Sequence, residues 1–120
     1  MRKILLALLA IATSVLAADV TGNWTGEGVT NGESHSLYFV LKQEGNYLTG
    51  SAGPSAAEQH SFQTARVEGD KIILEVGVGS KGTLHFELKA AGEGMKGTVE
   101  VRRDEGNESG TVTMRKERIT

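Results

Sequence analysis

The chain has no cysteine and one proline, Pro54, among its 120 residues. Without cysteine there is no disulfide, no thiolate metal ligand, no cysteine nucleophile and no lipidated N-terminal cysteine. A small domain lacking such staples must be held by its apolar core alone. Aromatic side chains are also scarce, with one Trp, two Tyr and three Phe. That is too few for the two aromatic girdles of an outer-membrane barrel. Charges of both signs are interspersed, so no basic stripe exists for nucleic acid or an anionic membrane surface. No window beyond the N-terminal run shows a 3.6-residue apolar stripe, and 16 glycines disfavour helix.

That one long apolar run is informative. Met1-Arg2-Lys3 precedes an apolar stretch from Ile4 to Leu16, and the small residues Ala17 and Ala18 follow. A basic start, a short apolar segment and a small-residue end describe a secretory signal peptide, residues 1–18, cleaved near Ala17 or Ala18. A membrane span needs about 20 apolar residues, and this run is shorter and broken by Thr13 and Ser14. The expected address is outside the cytoplasm, in a periplasm or the extracellular space, with residues 19–120 as one domain. Without Arg2 and Lys3, the 13 basic residues become 11 against 15 acidic ones, a formal charge of −4. Asn23-Trp24-Thr25 and Asn107-Glu108-Ser109 match the N-glycosylation triplet, which matters only in a eukaryotic secretory pathway.

What remains is β grammar. Ser36 to Lys42, a turn with Gly45-Asn46, and Tyr47 to Ser51 read as a β-hairpin. Similar units recur, so eight strands are expected: 20–28, 35–42, 47–52, 61–68, 71–78, 82–90, 94–102 and 109–116. Leu37, Phe39 and Leu41 share one face, as do Ile72, Leu74, Val76 and Val78, then Leu84, Phe86 and Leu88, then Met95, Val99 and Val101. Period-two alternation marks strands with one buried and one wet face. Glu44-Gly45-Asn46 and Glu68-Gly69-Asp70 repeat the same turn chemistry, with an echo at Glu93-Gly94-Met95. Short connections imply antiparallel neighbours in chain order. The expected fold class is all-β: an eight-stranded antiparallel up-and-down barrel, with a two-sheet sandwich as the alternative. The alternation also suits an outer-membrane barrel with its apolar face outward. Strands of about 7 to 9 residues are short where a membrane needs about 9 to 11, so a barrel that is not membrane-embedded is expected.

Chemistry-bearing residues are few. His35 and His60 fall at the same end of the meander, with Glu33 and Glu58 the nearest further ligands, but the spacing matches no metal motif. His85 lies on the polar face and reads as solvent-exposed. There is no Gly-x-Ser-x-Gly elbow, and Gly77 to Gly82 lacks the ending and helix of a phosphate loop. Asp104-Glu105 reads as loop charge. No catalytic residue, metal or cofactor is implied. Trp24, with Gly22 and Gly26 on its own face, reads as an indole plugging one barrel end.

Gly22-Asn23-Trp24 on a first strand resembles the Gly-x-Trp signature of the calycin barrels: lipocalins, fatty-acid-binding proteins, avidins and bacterial metalloprotease inhibitors. Val20 to Thr25, with Leu48-Thr49-Gly50-Ser51 downstream, looks most like avidins. Lys42 to Gly45 through Leu48 to Gly50 is similar to small exported bacterial proteins of unassigned function. The resemblance covers the first third of the chain. Avidins carry a biotin-binding asparagine two residues after this tryptophan, where Gly26 stands, and a tyrosine where Ala52 stands. Tight biotin binding is therefore not expected. The lipocalin resemblance implies a basic residue after the last strand packing on the indole, for which Arg115 and Lys116 are the candidates.

Two functions are expected from these readings. The first is a non-enzymatic binding module for a small apolar molecule, its barrel lined by Trp24, Phe39, Leu41, Leu74, Phe86 and Val99. The second is a protein-partner domain, for example a protease inhibitor, acting through the segments 29–34 or 53–60.

Overall fold

The computed structural model describes residues 19–79 and 82–118; the expected signal peptide lies outside them. Eight strands follow one another: β1 (Gly22–Thr30), β2 (Glu33–Glu44), β3 (Tyr47–Gly53), β4 (His60–Glu68), β5 (Lys71–Gly77), β6 (Thr83–Ala91), β7 (Gly94–Arg103) and β8 (Gly106–Lys116). They form a closed antiparallel barrel in chain order, and β1 pairs with β8 from Trp24↔Lys116 to Thr30↔Gly110. Closure leaves no sheet edge bare. The sandwich alternative is thereby set aside.

The turns explain why neighbours pair so tightly. Gly45, Gly69 and Gly92 open two-residue turns with φ of 63°, 67° and 63°. Positive φ at the first turn position alone is the type II′ arrangement, whose twist matches that of the flanking strands. The third turn of this set is Gly92-Glu93, where the spacing of the strands 82–90 and 94–102 puts it, and Gly94 already pairs in β7. Asn31 and Gly32, with φ of 50° and 78°, make a turn of the type I′ kind.

Two expected loops are in fact strand. The segment 29–34 is the end of β1, the Asn31-Gly32 turn and the start of β2. The segment 103–108 contracts to Asp104-Glu105, since Arg103 pairs with Gly106. Residues 54–59, between β3 and β4, form the longest connection between strands, ahead of 78–82 between β5 and β6. Gln59 Nε2 donates to the carbonyls of Tyr38, at 3.1 Å, and Ser55, at 2.8 Å, which holds that segment against β2.

Apolar side chains fill the interior and charged ones face outward. Trp24, Phe39, Leu41, Ile72, Leu74, Phe86, Leu88, Met95, Val112 and Met114 belong to one buried cluster. Phe39 and Phe86 meet edge to face, ring centroids 5.2 Å apart, across the middle of this core. In β4 the alternation breaks. Phe62 pairs with Val76 and Thr64 with Glu75, so one extra residue bulges and both Phe62 and Ala65 pack on the core.

One barrel end is closed. Trp24 is 1% exposed, and its Nε1 donates to the Val20 carbonyl at 3.0 Å. Val20, itself buried, donates its N–H to Gln43 Oε1 at 2.9 Å, tying the entering chain across the base. Val20 therefore precedes β1 rather than opening it. The room left by the two neighbouring glycines is occupied: a Cβ at Gly22 would meet Lys116 Cε, and one at Gly26 would overlap the Thr113 carbonyl and Met114. Lys116 Nζ stands 5.9 Å from the Trp24 ring, within cation–π range, so Lys116 and not Arg115 covers the indole.

Candidate functional site

The opposite end, where the β1–β2, β3–β4, β5–β6 and β7–β8 connections gather, holds a cavity of about 560 Å³. Its depth is apolar. Phe86 and Val99 line it from β6 and β7, with Leu37, Ala52, Leu84 and Val101 around them and Val78 from the connection after β5. These are inward positions of their strands, and the register sets Phe86 opposite Val99 and Leu84 opposite Val101. Its rim is polar, with Glu33, His35, Glu58, His60, Arg103 and Glu108 facing the opening.

The six lining residues expected from sequence divide along the barrel axis. Phe86 and Val99 line the cavity. Phe39 sits directly behind, against the Phe86 ring. Trp24, Leu41 and Leu74 are buried in the packed half and do not line the opening. The wall residues Leu37, Leu84 and Val101 and the rim pair Arg103–Glu108 complete the site. Their signal was inward parity combined with closeness to an upper turn.

Electrostatics at the rim are lopsided. Arg103 is its one permanent cation among the described residues, and its Nη1 lies 3.3 Å from Glu108 Oε2. Glu33 and Glu58 face the same opening, and no ion pair engages either among the described residues. The Asp104-Glu105 turn adds acid beside them; Lys81, between Gly79 and Gly82, lies outside the described residues. Positive charge collects elsewhere, in the cross-strand row Lys71↔Lys89↔Lys96 and in Arg115 and Lys116 at the end of β8, with Arg118 just beyond. His35 and His60 both reach the rim, yet no group of three or more potential ligands among the described residues is arranged to hold a metal ion.

A second polar cluster lies on the outer wall. His85 is half-buried rather than solvent-exposed, because neighbouring strands bracket it. Its Nδ1 lies 2.9 Å from Glu75 on β5 and its Nε2 3.0 Å from Glu87 on its own strand. Only an imidazolium carries a hydrogen on both nitrogens, so that form satisfies both carboxylates. Arg102 joins through Glu100 at 2.7 Å and Glu75 at 3.4 Å. The His85 hydrogen bond holds the carboxyl of Glu75 below the ordinary range, with Arg102 adding to it, and the same histidine lowers Glu87. The cluster knits β5, β6 and β7 and faces away from the cavity.

No family model matches this chain, and no curated protein and no solved structure is significantly similar to it.

Proposed function

We propose that the protein is an exported, non-enzymatic binding module of calycin-like build that holds one small, largely apolar molecule in the cavity at its open end. The observation that carries this is the contrast between the two ends. Trp24, Val20 and Lys116 fill the base, whereas the other end keeps about 560 Å³ above Phe86 and Val99. Ligand pockets commonly span about 300–1,000 Å³, and an apolar well with a few polar groups at its lip is their usual composition. Kinship with calycin barrels is supported by Gly22-Asn23-Trp24 on the first strand and by a basic side chain from the last strand over the indole. The basic-then-apolar residues 1–18 support export, and the charged outer wall supports a barrel that works in water.

A rough magnitude bounds the ligand. Burying about 200 Å² of apolar ligand surface contributes about 5 kcal/mol, whereas micromolar affinity needs about 8 kcal/mol. A ligand burying no more than that needs polar contacts at the rim to be held at micromolar concentration.

The test is native mass spectrometry of the protein from its own exported fraction. A discrete added mass, lost in Leu84→Trp, which places an indole in the well, is the expected result. A bare protein that also fails to retain decanol on titration overturns the reading. The alternative, an inhibitor acting on a protein partner, rests on residues 54–59 as the longest connection, ordered by Gln59. Substituting that segment by a Gly/Ser linker with loss of partner binding and full retention of decanol is the result that favours it.

A further inference from the structure

We infer that the ligand is an amphipathic organic cation: a compact apolar body seated on Phe86 and Val99, with an ammonium-type head at the rim. This rests on the binding reading above and adds the sign of the head group. The apolar floor selects the body by burial, and the head must lie where the cavity meets solvent.

The charges there favour one sign. Glu33 and Glu58 face the opening without an ionic partner among the described residues, on β2 and on the segment leading into β4. The single permanent cation at the rim among the described residues, Arg103, is already engaged by Glu108 at 3.3 Å. An entering ammonium therefore meets two available carboxylates and no competing free guanidinium. An entering carboxylate meets the same two groups as like charges and must separate Arg103 from Glu108 to find a partner. Water-poor walls below the rim focus this field onto the head group. A fatty-acid-type anion is the occupant this rim disfavours.

The experiment compares three ligands that share a chain and differ in the head: decylamine, decanol and decanoate, titrated calorimetrically into the purified protein at low salt. Decylamine is expected to bind about ten-fold more tightly than decanoate, with decanol between them. The preference is expected to shrink as salt is raised, since rim charges are screened. Glu33→Gln with Glu58→Gln, both at exposed positions, brings the amine and the acid close to equal affinity while decanol binding is kept. Arg103→Gln acts in the opposite direction, because it releases Glu108 and widens the amine preference. Decanoate binding as tightly as decylamine, with decanol bound, overturns the cation assignment and leaves the binding reading standing. Failure of all three ligands to bind overturns both.

Discussion

Trp24 is the residue on which the closed end depends. Its indole is buried, its Nε1 is satisfied by Val20, and Lys116 and Met114 occupy the space its glycine neighbours leave. Trp24→Ala removes a large side chain from a site where surrounding backbone is already in contact, so collapse is limited. A loss of about 3–5 kcal/mol is expected, read as a lower midpoint in urea denaturation. Lys116→Met keeps most of the packing stem and deletes the charge, and about 0.5–1 kcal/mol is expected to go with it. If Trp24→Ala melts where the unmodified protein does, the indole does not close the barrel. Gly26 follows the same logic in reverse. The asparagine that the avidin resemblance would require there has no room, because the Thr113 carbonyl and Met114 fill the direction its Cβ would take.

Between strands, the outer wall makes stability depend on pH through Glu75 and Glu87. Both carboxyl groups are lowered chiefly by hydrogen bonds with His85. A carboxyl whose folded value is depressed contributes stability above its unfolded value, about 4.3 for glutamate, and loses it as pH falls through the depressed folded value. Thermal melts taken from neutral pH downward should therefore fall off in the acid limb, and Glu75→Gln should flatten that limb. An equally steep acid limb in Glu75→Gln would mean that other carboxylates set it. This cluster also marks where sequence reading ran out. Alternation shows that His85 points outward, but Glu75 comes from β5 and Arg102, which joins through it, from β7, and both depend on register. The strands themselves were legible, because Leu84, Phe86 and Leu88 or Ile72, Leu74 and Val76 leave little choice of face. The β4 bulge was not, since Phe62 and Ala65 are three apart and a strict period of two assigns them opposite faces. Height along the barrel was equally hidden. Parity says that Leu41, Leu74, Phe86 and Val99 all face in. Only strand tilt and register decide that Phe86 and Val99 border an opening while the other two are packed.

At the scale of the whole barrel, the seams differ in quality, and this bears on folding. The closing seam β1–β8 is in continuous register from Trp24↔Lys116 to Thr30↔Gly110, and Glu117 N–H donates to the Asn23 carbonyl at 2.8 Å just beyond it. It joins residues nearly a whole domain apart in sequence, which is the costly kind of contact in a folding reaction. The β3–β4 seam is local but irregular: Tyr47↔Arg66 is separated by a register shift from Ser51↔Ser61 and Ala52↔His60. A circular permutant that joins Arg118 to Asp19 through a short Gly/Ser linker, with new ends between Ala56 and Ala57, exchanges these roles. The well-registered seam becomes local, and the irregular one becomes the long-range closure. Glu117 bonds to Asn23 on the strand that Asp19 leads into, so both joined ends lie at the closed end of the barrel. The permutant is expected to melt in one cooperative transition and to refold faster than the parent chain in stopped-flow denaturant jumps. Slower refolding would mean that β3 and β4 form the early nucleus on which the rest of the barrel assembles. Loss of cooperative melting would mean that the connection 54–59 is a structural staple and not only a wall of the opening.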